Sequence, residues 1–268
     1  MKNLITKKIL REFRTYFDGM FFLRRISLRA LKKYFYGNLL EIGVGYGPDI
    51  DFLKNLKSVK KYTGVDRQEF FSTYSDKKLN RNKNIIYYKG ERLPFKAGSF
   101  DTIVSFDCLE HIRYKSVNIF FREIRRVLKE NGNFILSVPF IYPEHSQVFD
   151  YYRFTRFGLE DLATFFGFKI TLMKARSSSL ETILVLLNHR LFFYFFPKVI
   201  SSEFSKGTKS VFFVKELSKW IAFPFFASVY IFLSFFMMFV SVFTRDRMNS
   251  PLNLGYSCIL KKDLRRRR

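Results

Sequence analysis

Leu39-Leu40-Glu41-Ile42-Gly43-Val44-Gly45-Tyr46-Gly47 runs from an apolar stretch into three glycines at alternate positions. The front half reads as a buried strand. The back half reads as a tight turn, because glycine accepts a backbone that bends sharply and lets a ligand approach the main chain. A helix is expected from about Pro48, which sets its free N–H groups behind the turn. A dinucleotide fingerprint needs GxGxxG, and its third glycine position is occupied here by Pro48. The spacing is therefore GxGxG and not the NAD pattern. Tyr62-Thr63-Gly64-Val65-Asp66 repeats the strand pattern and ends in an acid. A carboxylate in that place can accept both hydroxyls of a ribose.

Outward from this turn, short apolar runs alternate with helical stretches. Strands are expected at residues 39–42, 62–65, 85–88, 102–106, 134–138, 169–173 and 256–260. Helical spacing is clearest at 119–128, with a turn at Gly132 closing it. Apolar strands separated by helices argue an α/β domain whose parallel sheet is covered on both faces.

Charge and hydropathy divide the chain further. Its 268 residues carry a net charge of +24, distributed as +8 over 1–36, +5 over 37–171 and +11 over 172–268. So basic a chain expects a polyanionic neighbour, and the flanks carry most of the excess. Residues 220–243 contain no charge, and 191–197 (LFFYFFP) form a second apolar stretch. Nucleic-acid domains interleave basic residues with a few aromatics, so an anionic membrane is the better partner. Residues 4–35 read as basic amphipathic helices that either pack on the domain or lie on a membrane surface. The N-terminus lacks the apolar core of a secretory signal. Cys108 and Cys258 stand far apart and only three histidines are present, so neither a disulfide scaffold nor a metal cluster is expected.

These motifs together resemble the class I S-adenosylmethionine-dependent methyltransferases. The likeness rests on the GxGxG turn, Asp66, Leu93-Pro94-Phe95, Ser99-Phe100-Asp101 and Leu109-Glu110-His111, in that order. It resumes at 254–261, which resembles the last, antiparallel strand of that family's sheet. The resemblance implies a Rossmann-like seven-stranded sheet with a hydrophobic helical insertion before the final strand. Four segments follow: N-terminal helices 1–36, a core 37–176 that binds S-adenosyl-L-methionine, an insertion 177–253, and a final strand with basic tail 254–268. The segment from Val138 through Phe168 is similar to a subgroup met among cell-surface polysaccharide genes.

Carried over residue by residue, the resemblance assigns Gly43, Gly45 and Gly47 to the methionine part of the cofactor. Glu41 stands where the family places an acid near the amino group, Asp66 where it holds the ribose, and Leu93 beside the adenine. The family often has an acid four residues before that leucine; here the position is Lys89, with Glu91 as the substitute. Asp107 faces the place of the methyl donor. An acceptor hydroxyl needs a base, for which His145 and His111 are the candidates, although His111 reads more readily as a helix-start residue that packs under the cofactor loop. Arg153 either pairs with an anionic acceptor or salt-bridges Asp150.

The expected function is methyl transfer to a lipid-linked glycan or other lipid at the cytoplasmic side of a membrane. An RNA methyltransferase and an inactive scaffold subunit are the rival readings. The insertion is expected to be monotopic, with both ends on one side; a helical hairpin or span, and a soluble or oligomer-forming subdomain, are the alternatives.

Overall fold

The computed structural model describes residues 19–45, 47–68, 84–89, 92–144, 149–195, 228–229, 231–236, 239–240, 243 and 250–264, without the side chains of 19–22 and 191–195. His145, Glu91, the basic tail from 265 and most of the apolar insertion lie outside them.

The chain falls into two compact units. One comprises residues 28–140, 149–174 and 255–268 and holds the sheet. Its strands are β1 (Gly37–Ile42), β2 (Val59–Arg67), β3 (Ile85–Tyr88), β4 (Phe100–Phe106), β5 (Leu128–Pro139), β6 (Phe168–Ala175) and β7 (Gly255–Lys262). They lie in the order β3-β2-β1-β4-β5-β7-β6. Pairs from β3 through β5 are parallel, while β7 runs antiparallel to β5. The expected seven strands, with the last one reversed, are therefore present. Order reverses between β1 and β4, and ligands of open α/β sheets lie beyond the carboxyl ends at such a point.

Apolar residues on both faces of the central strands account for this burial. Leu40, Val65, Ile103 and Phe134 pack on one side, and Leu39, Val104, Ile135 and Ile259 on the other. Each fully buried side chain of this size contributes roughly 1.5–3 kcal/mol. Helix α1 spans Gly19–Ala30, α2 Ile50–Lys54, α3 Tyr114–Val127, α4 Arg156–Phe165 and α5 Ser179–Phe195. Helix α3 buries Phe121, Ile124 and Val127, three residues apart, and Phe121 stacks on Phe166 with ring centroids 4.6 Å apart. Leu28, Leu31 and Phe35 are buried in the second cluster, so the end of the N-terminal segment belongs to this unit.

One expected boundary moves. Helix α3 ends at Val127 and the backbone is already extended at Leu128, well before Gly132. The register with β4 is irregular here, since Phe100 pairs with Leu128 and Thr102 with Asn133. Gly132 sits in that irregularity, where a Cβ would lie 2.9 Å from the Asp101 carbonyl oxygen. It lets two strands approach and does not close a helix.

The other unit comprises residues 1–27, 141–148 and 175–254. Leu23, Tyr142, Leu184, Val185 and Leu254 form its core, with Leu233 and Val240 packed against them. Ser178 caps α5, receiving the Glu181 N–H at 3.3 Å while the Glu181 carboxylate accepts from the Ser178 N–H at 2.6 Å. This reciprocal box satisfies donors that a bare helix start leaves open. The two ends of the insertion meet: Leu254 N–H donates to Ser177 Oγ at 2.9 Å, and Thr182 Oγ1 to the Leu252 carbonyl at 3.2 Å. Deeper in, Asn188 Nδ2 donates to Ser234 Oγ at 2.8 Å. Among the described residues, no helix is long and apolar enough to cross a membrane.

Candidate cofactor and acceptor site

The glycine turn follows β1 directly. Gly43, Gly45 and Gly47 have φ of 79°, 56° and 74°, in the left-handed region that L side chains disfavour. The glycines differ in their surroundings. A Cβ at Gly43 would collide with Cys108 Sγ, whereas a Cβ at Gly45 would meet nothing within 4 Å. Gly43 thus serves packing, and Gly45 borders open space at the carboxyl end of β1. That opening beside the main chain fits the methionine part of the cofactor.

Ile42 pairs with Val65, which brings the turn level with Asp66. Gly45 N–H donates to Asp66 Oδ2 and Arg67 N–H to Oδ1, each at 2.7 Å. Desolvation raises the Asp66 pKa above its ordinary value, against the lowering effect of those two bonds. An acid with both oxygens fixed at this point fits a ribose diol.

Glu41 is 1% exposed and accepts a short hydrogen bond from the Tyr62 hydroxyl. Burial and then the charge of Glu41 push the Tyr62 phenol far above its usual range. The acid assigned to the cofactor's amino group is thus held from below by a tyrosine.

Leu93 is buried, and its loop is pinned by two residues that sequence reading passes over. Its N–H donates to Glu123 Oε2 at 2.7 Å. Arg126 donates to the carbonyls of Leu93 and Phe95 at 3.0 and 2.6 Å and pairs with Glu123 at 2.6 Å. Hydrogen bonding from Arg126 holds the Glu123 carboxyl below its usual range. The three-residue spacing of Glu123 and Arg126 on a helix is visible in sequence; the loop they hold is not.

Asp107 has φ 48°, the one positive value outside glycine among the described residues. Its N–H donates to the Ser137 carbonyl at 2.9 Å. Strained backbone of this kind gathers at functional sites, and Asp107 follows β4 at the same edge as the glycine turn.

His111 and Arg153 also lie beyond this edge. His111 Nδ1 is 2.5 Å from the Phe149 carbonyl oxygen. Because that oxygen only accepts, Nδ1 carries the proton of this bond. Nε2 lies 3.9 Å from Glu110 Oε1, whose side chain is buried. The buried carboxylate thus stands near the nitrogen that would take up a proton, at ion-pair and not hydrogen-bond distance. Arg153 forks onto Asp150, with Nη1 to Oδ1 at 2.5 Å and Nη2 to Oδ2 at 2.6 Å. The structural alternative weighed for Arg153 is the one observed.

The carboxyl ends of β1, β2 and β4 therefore carry Gly45, Asp66, and both Asp107 and His111 at one edge of one sheet. Residues 40–136 match the methyltransferase-domain family. An uncharacterized protein of Methanocaldococcus jannaschii is 35% identical over 105 residues, which are 39% of this chain and 38% of that protein. A second from the same organism is 31% identical over 132 residues, covering 49% of this chain and 59% of that protein. The chain thus spans less than two thirds of each of these relatives. The crystal structure of a SAM dependent methyltransferase from Archaeoglobus fulgidus superposes with a TM-score of 0.53 at 14% identity, over 94% of this chain and 99% of that one.

Proposed function

We propose that residues 40–136, which match the methyltransferase-domain family, and the sheet built on them act as a class I S-adenosylmethionine-dependent methyltransferase, and that the whole chain methylates a lipid-linked acceptor at an anionic membrane face. The observation that carries the enzymatic part is the pairing of open space at Gly45 with an Asp66 carboxylate whose two oxygens are fixed by main chain.

When bound, the cofactor supplies an electrophilic methyl group on a sulfonium sulfur. The protein's part is alignment and the exclusion of water. Gly45 leaves room for the methionine end, Asp66 accepts the ribose hydroxyls, and Glu123 and Arg126 hold the Leu93 loop in place. Nε2 of His111 takes the proton of an acceptor hydroxyl as that oxygen gains its methyl, and Glu110 stabilises the resulting imidazolium. His145 remains a second candidate for this step.

The membrane part rests on residues 177–253. Phe232, Phe235, Phe236, Phe239 and Phe243 are 40–67% exposed, at spacings that fall on one helical face. They lie within the uncharged run 220–243, which Lys209, Lys215, Lys219, Arg245 and Arg247 flank. An apolar face between basic clusters suits the headgroup boundary of an anionic leaflet. The joined ends of the insertion favour entry and exit on one side. A lipid-linked glycan is the acceptor class that such placement, and the likeness of the 138–168 segment, best suit.

The test is transfer of labelled methyl from S-adenosylmethionine into fractionated lipid, glycan and RNA extracts, with flotation on phosphatidylglycerol vesicles alongside. Label in the lipid-linked fraction supports the proposal; label confined to RNA overturns its acceptor.

A further inference from the structure

The arginine expected to meet an anionic acceptor, Arg153, is occupied by Asp150. A different arginine at the same edge is held in place without being neutralised. Arg113 follows the Leu109–His111 turn after β4, and its guanidinium carbon lies 4.8 Å from the centre of the Phe149 ring. Its Nε donates to the Tyr151 hydroxyl at 3.1 Å. Phe149 and Tyr151 stack on each other, 5.6 Å between centroids and 8° between planes. Backbone bonds fix the platform, since Tyr151 N–H donates to the Glu110 carbonyl at 2.8 Å and Phe154 N–H to that of Pro139 at 3.1 Å. Both loops leave carboxyl ends of strands, β4 and β5, and both flank His111.

Among the described residues, Arg113 has no carboxylate partner, and the Tyr151 bond uses only Nε. Its side chain is exposed, and the Nη1 and Nη2 fork is left to external acceptors. An arginine stacked on an aromatic face loses little freedom when it binds, and its fork matches the oxygens of a phosphate in a bidentate way. The exposed rings of Tyr114 and Tyr151, 82% and 41% exposed, lie beside it in sequence and in contact. We infer that Arg113, held by Phe149 and Tyr151, binds a phosphate group of the methyl acceptor. The inference rests on the reading of this sheet edge as the acceptor side. The phosphate belongs either to a lipid carrier or to a soluble sugar phosphate.

The full chain is titrated by calorimetry with glucose 1-phosphate in solution and with dodecyl phosphate in neutral detergent micelles. Arg113→Gln, Arg113→Lys and Tyr151→Phe are compared with the native protein, and S-adenosylhomocysteine affinity is measured in each. The expected result is phosphate binding that Arg113→Gln weakens about tenfold or more and Arg113→Lys weakens less, with cofactor affinity unchanged. Tyr151→Phe is expected to weaken it modestly by freeing the guanidinium. Preference for the micellar probe assigns the phosphate to a lipid carrier, and preference for the soluble one to a sugar phosphate. Absence of phosphate binding in the native protein, or equal binding in Arg113→Gln, overturns the inference. Loss of S-adenosylhomocysteine binding by the native chain strikes the proposed function instead and leaves the phosphate result to stand alone.

Discussion

Gly45 donates its backbone N–H to Asp66 at 2.7 Å, so the turn that follows β1 and the acid that ends β2 form one rigid corner. Asp66 is raised above its ordinary pKa of 3.8, by burial first. Only the ionised form offers both oxygens to a ribose diol. Cofactor affinity should therefore decline as pH falls, and at a pH above that of an ordinary carboxylate. Asp66→Asn should remove this acid limb and weaken binding at neutral pH by about 1.5–3 kcal/mol. Calorimetric titration of S-adenosylhomocysteine across a pH series checks both effects; an acid limb no higher than that of an ordinary carboxylate contradicts the assignment.

Gly43 and Gly45 should respond differently to the same substitution. Gly43→Ala places a Cβ against Cys108 in a left-handed conformation, so it should lower the melting temperature and cofactor affinity together. Gly45→Ala meets open space and should cost only about 1–2 kcal/mol of backbone strain. That variant is expected to fold while losing cofactor affinity. Circular dichroism melts beside binding isotherms separate the two, and equal loss of fold in both would remove the distinction between a packing and a ligand-facing glycine.

Tyr62 predicts an alkaline limit to stability. Its phenol is raised well above the ordinary 10.0 by burial and by Glu41. A raised folded-state pKa means that the contribution is complete below about pH 10 and declines as pH rises beyond it, because the unfolded chain releases the proton first. Tyr88, raised to about 12, adds to the same slope. Tyr62→Phe should reduce stability near neutrality by about 1.5–3 kcal/mol, the usual worth of a hydrogen bond to a charged group. It should also flatten part of the alkaline decline. Denaturant melts between pH 8 and 11 test both; an unchanged slope in Tyr62→Phe rules out this residue as a source.

The strands were readable because their apolar runs are short and bounded by turns, and because both faces are buried. Residues 85–88 coincide with β3, and β7 is identified by its own run at 256–260 even though some 80 residues separate it from β6. The α3–β5 boundary was not, since Gly132 signals a break equally well for a helix end and for a strand irregularity. At the site, the glycine turn and Asp66 are legible because their spacing is local to two strand ends. Arg113 is not, for its partners lie 36 and 38 positions away, at Phe149 and Tyr151. Charge in a sequence shows which side chains are cationic, but only the fold shows which have been neutralised.

The Arg153–Asp150 pair should matter to stability more than to chemistry. Asp150 has a side chain only 2% exposed, so removing its partner leaves a charge in a desolvated place. Arg153→Ala is expected to destabilise the fold by about 3 kcal/mol, at the lower end for a broken buried pair because Arg153 is partly exposed. The double variant Arg153→Ala with Asp150→Asn should recover much of that loss. Thermal unfolding of the four proteins closes the cycle. Full stability in Arg153→Ala, with methyl transfer abolished, restores Arg153 to the acceptor.

The insertion yields the last prediction. Its ends are joined by the Ser177–Leu254 and Thr182–Leu252 bonds, and the uncharged run between them exposes Phe235 and Phe236. If these rings lie in the acyl boundary of one leaflet, apolar burial dominates affinity at roughly 1.5–3 kcal/mol per ring. Each Lys or Arg near the anionic surface adds about 1 kcal/mol. High salt should then loosen but not release the protein, and detergent should extract it. Phe235→Asp with Phe236→Asp replaces two anchoring rings by charges that an anionic surface repels, and should move the protein to the soluble fraction. The substitutions point away from the core formed by Leu184, Val185 and Leu233, so S-adenosylhomocysteine binding should persist. A tag placed after residue 268 should be labelled from the cytoplasmic side only; labelling from the outer face alone would mean that the chain crosses the bilayer.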